Sequence, residues 1–304
     1  SGYDEATMLG FFAERGVVDL ERGTGTRQGR QERSGPGVHA PSLEGPRPPH
    51  CSQARSGPWT GSGGDAVELD EYLPSLRRSN ARFAEASAAA VLDHGWAARV
   101  PGCPDWTLAD LVWHLAEVQR FWAWVVRTRA QDPAGYEPAA RHPDDELLGY
   151  ATARGAELEA ALADADPAER VWTWARQQDV AWVLRRQAQE AVVHTVDVEQ
   201  VLGDVRPVPA DVGLDGLDEW LEVMVPGALP DGAPAEAHPV VFHAVDADAE
   251  RTLFAGSRPF PVATLTGTAG DLLLAVWRRV PLHVLTVDGD GVQAAAMIDL
   301  VELG

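Results

Sequence analysis

Two stretches of the chain, residues 107–131 and 178–202, carry apolar side chains at helical spacing, and each sets ionisable groups inside its apolar face. In the first, Leu108, Leu111, Val112, Leu115, Val118, Trp122 and Val125 define one broad sector, and His114 falls within it beside Phe121. In the second, the sector is made by Val180, Val183, Leu184, Ala188, Ala191, Val198, Val201 and Leu202. His194 lies inside that sector, Glu190 at its border and Asp197 just beyond, while Arg185, Gln189, Glu199 and Gln200 are read as its opposite, solvent-facing side. An unpaired carboxylate in an apolar interior costs several kcal/mol. Whatever fold buries these faces must therefore give the carboxylate a partner.

The remaining periodicity supplies the fold. Leu69, Tyr72, Leu73, Leu76 and Phe83 predict a helix over 66–93, and the acidic "DDE" opens another over 144–164. Thr107 followed by Asp110 reads as a capping box, and Pro133 ends the helix that it starts. Gly203, with Pro207 and Pro209 beyond, stops the last of the four. Four helices with short connections predict an up-down bundle over 65–204. Beyond it, 210–225 reads as helix, "PVVFHAVDA", "RTLFAG" and "PVATLTGT" as short strands, and "GDLLLAVWRR" and "GVQAAAMIDLVE" as helices. The expected class is thus α+β in two domains, a four-helix bundle followed by a small α+β domain over 205–304.

Residues 1–64 differ in kind. Within 22–64, rich in Gly, Pro, Ser and Arg, six Arg stand against two Glu and no periodicity appears. Such a segment buries too little apolar surface to offset its ordering entropy, so 1–64 is expected to be a disordered or poorly ordered extension with one weak helix in 1–21. His39, His50 and Cys51 are read there as bystanders.

The net charge of −21 argues against nucleic acid and anionic membrane surfaces as partners, since both require a basic patch. All 25 basic residues are Arg, and Asn80 and Ile298 are the sole Asn and Ile, a bias expected of a very GC-rich bacterial gene. Two cysteines make no disulfide framework, no apolar run reaches the ~18 residues of a membrane span, and no signal peptide is seen. A cytoplasmic protein is expected.

The chemistry centres on the buried polar groups. Two imidazoles and one carboxylate form a common catalytic zinc set with a position left open. Glu190 and His194, at i and i+4, share a helix face, and His114 from a facing helix would complete the set. Asp197 could orient His194 from behind, and Arg186 could do the same for Glu190. Plainer readings stand beside this one. An E-x-x-x-H pair is common on helix surfaces, and a histidine on an apolar face is more often a hydrogen-bonded core residue. Trp113, Trp122, Trp124, Trp172, Trp174 and Trp182 read as core or pocket wall, His243 and His283 as structural, and Cys103 as a packed small residue. No HExxH, P-loop, strand-borne GxGxxG or GxSxG occurs.

The stretches "PGCPDWTLADLVWHLAEVQRFWAWVV" and "VWTWARQQDVAWVLRRQAQEAVVHTVDVEQ" resemble the mycothiol-dependent maleylpyruvate isomerase family of DinB-like metal-binding bundles. The resemblance covers about 66–304 and is looser after 205. It implies metal ligands at His114, Glu190 and His194, and an active-site arginine at Arg279, with Arg278 as the spare. It also implies a divalent ion, zinc first, and mycothiol as the thiol cosubstrate, a compound of high-GC actinobacteria. The implied reaction is attack of a metal-held thiolate on a small electrophile, giving cis–trans isomerisation or thiol transfer, with Arg279 gripping a substrate carboxylate. A metal- or thiol-binding protein without turnover and a metal-dependent hydrolase are the alternatives. The chain is expected to be a monomer or homodimer. Residue 189 is Gln where many relatives have His, a difference of no weight if it faces solvent.

Overall fold

The computed structural model describes residues 67–301; the extension at 1–64, its weak helix, and His39, His50 and Cys51 lie outside the described residues. Four long helices, α1 (Leu69–His94), α2 (Leu108–Thr128), α3 (Leu147–Asp164) and α4 (Val180–Leu202), form the expected bundle. Between α1 and α2 a small hairpin, β1 (Arg99–Val100) and β2 (Cys103–Thr107), is inserted.

Local chemistry sets the ends. The Thr107 hydroxyl accepts from Asp110 N at 3.2 Å and the Asp110 carboxylate accepts from Thr107 N at 2.9 Å, closing the capping box that the sequence predicts. Asp179 caps α4 by accepting from Trp182 N at 3.0 Å. Gly203 ends α4 in the left-handed region at φ 69°, a conformation that costs a glycine little.

The connections, residues 95–107, 129–146 and 165–179, are longer than the short loops expected, and they refine the order of directions. Cross-links between Arg82 and Glu199 and between Thr195 and the Ser79 carbonyl show α1 and α4 running side by side and parallel. Tyr150 meets Glu117 and Arg127 meets Glu157, so α2 and α3 are parallel as well. The rings of Trp122 and Trp182, against the contact of His114 with Glu190, show α2 and α4 antiparallel. The 129–146 connection can retrace the length of a helix, since 21 residues of helix rise only ~31 Å.

After α4 come α5 (Ala210–Glu219), a π-helical turn at Trp220–Met224 and the short α6 (Val225–Ala228). They are succeeded by β3 (Val240–Ala244), β4 (Ala249–Leu253), β5 (Ala263–Gly267), α7 (Ala269–Val276), β6 (Thr286–Gly289) and α8 (Gly291–Asp299). The sheet order is β4-β3-β5-β6, with β3 and β5 parallel and the two outer pairings antiparallel. Alternation along β3 turns Val240, Phe242 and Ala244 inward, onto Leu214, Leu217, Trp220 and Leu272. The three expected strands are present, and β6 is an addition to them. None of the helices among the described residues is long and apolar enough to cross a membrane.

The face of α4 expected to meet water does not. Gln189 and Glu199 are buried and Arg185 is largely so. A helical wheel sees one cover, and α4 has two: α1 on one side, and α5 with the segment after α7 on another. The polar groups are paired instead of hydrated. Glu199 accepts from Arg82 and Arg206. Asp215 accepts from Arg185, Tyr72 and Gln189 at 3.0, 2.7 and 2.7 Å. Residue 189 is therefore an internal link and not a surface position.

Candidate metal centre

The apolar interior of the bundle is divided into two clusters. One holds Val118, Trp122, Val183 and Leu184, the other Leu108, Leu111, Leu115 and Val198. His114, Glu190 and His194 lie at the seam between them. Glu190 Oε1 is 3.3 Å from His114 Nε2 and 3.2 Å from His194 Nε2, and one donor atom from each residue lies within 4.8 Å of the others. A tetrahedral ion bound at ~2.0–2.1 Å holds its ligand atoms ~3.3 Å apart, the spacing of Glu190 Oε1 from each imidazole Nε2, so the three donors suit a divalent cation.

Each member is held from behind. Asp197, fully buried, accepts from His194 Nδ1 at 2.8 Å, which turns the Nε2 edge of the ring toward Glu190. Arg186, also buried, donates to Glu190 Oε2 and to Glu219 at the end of α5, and its guanidinium stacks 5.5 Å from the Trp277 ring. Trp106, at the end of the hairpin, lies over both imidazoles, 4.6 Å from His114 and 6.1 Å from His194 between ring centres. The sequence reading misses Trp106; its only signal is its place one residue before the cap of α2.

Arg279 reaches the site from the segment after α7. Its Nε donates to Asp197 Oδ1 at 2.9 Å and its Nη2 to Asp197 Oδ2 at 3.1 Å. Nη2 also contacts Cys103 Sγ at 3.2 Å, and Nη1 donates to the Trp277 carbonyl at 2.8 Å. Arg278, the spare, turns away to Asp299 and the Val301 carbonyl. Cys103, read only as a packed residue, thus lies against the Arg279–Asp197 pair. Burial, together with the nearby Asp197 charge, pushes its thiol up to about 12, which makes it a neutral neighbour and not a nucleophile.

The electrostatics follow from burial and pairing. Burial works against charge on Glu190, yet Arg186 and His194 outweigh it and hold the carboxyl well below its usual range. Burial likewise opposes charge on His194, but Glu190 and Asp197 override it and push the imidazolium up to about 9. His114, set in the bundle interior beside His194, is held below its ordinary value despite Glu190.

Two domain models of one family match the chain: the mycothiol maleylpyruvate isomerase N-terminal domain over residues 76–199 and the corresponding C-terminal domain over 211–297. The chain belongs to the mycothiol maleylpyruvate isomerase family. Two solved structures share its fold. A crystal structure of a point mutant of mycothiol-dependent maleylpyruvate isomerase aligns at TM-score 0.56 and 16% identity over 73% of this chain and 93% of that one. A structure described simply as the mycothiol-dependent maleylpyruvate isomerase aligns at TM-score 0.53 and 15% identity, over 68% and 88%. Comparison with curated proteins returns no match.

Proposed function

We propose that the chain is a mycothiol-dependent metalloenzyme in which His114, Glu190 and His194 hold a divalent cation, zinc first, and a thiolate attacks a small electrophile. The observation that carries this reading is the convergence of two Nε2 atoms on one carboxylate oxygen, at 3.3 and 3.2 Å, inside an otherwise apolar bundle. A cation bound there supplies a Lewis acid that keeps a thiol deprotonated and leaves a coordination position open. The chain's own groups prepare that position. Asp197 fixes the tautomer of His194, Arg186 occupies the outer oxygen of Glu190, and Trp106 covers the imidazoles.

Charge counting supports an anionic thiol. Glu190, Asp197 and Glu219 against Arg186 and Arg279 leave one net negative charge, so a dication with one anionic ligand brings the layer to neutrality. In an isomerase the thiolate adds to an activated cis double bond, and the electron pair moves onto the conjugated carbonyl. Rotation follows, then expulsion of the thiolate gives the trans product. In an S-transferase the adduct is protonated and released. The named relatives favour the isomerase and the geometry is common to both.

Elemental analysis of purified protein tests the site. Wild type is expected to hold about one equivalent of zinc that His194→Ala loses. Wild type free of metal after loading would end this reading. Consumption of maleylpyruvate with mycothiol then separates an isomerase from a protein that only binds.

A further inference from the structure

Arg279, in the family reading, grips a substrate carboxylate. Its surroundings indicate different work. The two oxygens of Asp197 are both taken by the guanidinium, and one of them also accepts from His194. The other terminal nitrogen is spent on the Trp277 carbonyl, and the Arg279 carbonyl itself accepts from Gln200 Nε2 at 2.7 Å. The hairpin turn closes the pair from above. A Cβ on Gly102 would come 2.5 Å from Asp197 Oδ1 and 3.2 Å from the Arg279 side chain, so bare backbone is packed onto the two groups. Cys103 Sγ seals the remaining side at 3.2 Å. A substrate carboxylate could grip this guanidinium through two parallel hydrogen bonds on the Nε–Nη2 edge only by displacing Asp197 from a fully buried position bonded to both Arg279 and His194.

We infer that Arg279 is a positioning residue that, with the Gly102–Cys103 turn, clamps Asp197 and thereby sets the orientation of the His194 imidazole toward the cation. The inference rests on the metal reading of the site. The chain of contacts runs Arg279, Asp197, His194 Nδ1, and the far nitrogen of the same ring is the one aimed at Glu190. Without the guanidinium, Asp197 keeps one strong partner, and the ring that it orients loses its frame. Groups that orient a ligand in this way typically contribute about 10–100-fold to metal affinity. A second structural consequence is that a residue 82 positions away in the chain helps to shape the cation's surroundings.

The experiment is zinc affinity, measured by competition with a chromophoric chelator, on the full chain. Arg279→Met and Asp197→Asn are each expected to weaken zinc about 10–100-fold, and the double variant about as much as either single one, because both break one clamp. Gly102→Ala, which pushes on Asp197 without removing a charge, is expected to weaken zinc as well, and it serves if Arg279→Met does not fold. With maleylpyruvate and mycothiol at saturating zinc, KM in Arg279→Met is expected to stay at the wild-type value. Zinc affinity within about twofold of wild type in Arg279→Met overturns the inference and leaves the metal reading intact; a raised KM with unchanged zinc affinity restores the substrate-gripping role. A wild type that binds no zinc removes the metal reading, and the clamp falls with it.

Discussion

His194 shows what one side chain carries in this molecule. It lies between two carboxylates, Glu190 on one ring nitrogen and Asp197 on the other, so its positive form persists to about 9, above the ordinary 6.5. In the cation-free protein, the stabilisation from that charge is complete below the ordinary value and is lost as pH rises through about 9. A cation must replace the proton on the nitrogen facing Glu190. Zinc affinity is therefore expected to climb about tenfold per pH unit from near neutrality and level off near 9, as followed by chelator competition across pH. A flat profile would mean that no proton leaves the site when zinc enters. At this scale much is legible: the helical wheels put His114 and His194 inside apolar sectors with Glu190 at the border of its own, and one-turn spacing puts Asp197 and Arg186 beside His194 and Glu190. Cys103, Trp106 and Gly102 were not legible, because their roles come from a hairpin turn folding over α2 and α4, which no periodicity records.

Among the elements, those with strong local signals were read closely. The start of α2 was fixed by the Thr107–Asp110 reciprocal cap and the end of α4 by Gly203. The cap also anchors Trp106, its immediate neighbour, over the imidazoles. Thr107→Ala is expected to lower stability by ~1 kcal/mol, read as a fall in urea midpoint at constant slope. An unmoved midpoint would show that hairpin bonds such as Leu108 N to the Ala98 carbonyl hold the helix start by themselves. The strand β6 escaped notice because all four of its residues are exposed, so it has neither a buried side nor an alternation to detect. The polar side of α4 misled for the opposite reason. Its charges satisfy partners on α1 and α5, and a charged residue paired inside looks the same in sequence as one hydrated outside.

At the scale of the whole molecule, three buried ionic links among the described residues join the bundle to the C-terminal region. Arg185 meets Asp215, Arg186 meets Glu219, and Asp197 meets Arg279. Removing one partner of such a pair leaves an uncompensated charge. Arg185→Met would leave Asp215 with only the neutral Tyr72 and Gln189, and is expected to cost about 3–5 kcal/mol in chemical denaturation of the full chain. A loss below ~1 kcal/mol would show that water reaches the pair. The overall class, a bundle followed by an α+β region, was legible from the change of period after 205; the docking of one on the other was not, since it is written in pairs of residues far apart in sequence.

The link through Glu219 reaches furthest. The arginine that shields the outer oxygen of Glu190 is anchored from α5, one residue before the π-helical turn. A bundle grafted onto a foreign C-terminal half would inherit the three donors but not Glu219, the second carboxylate that fixes Arg186. A swap of the C-terminal half would therefore strip Arg186 of one of its two carboxylates.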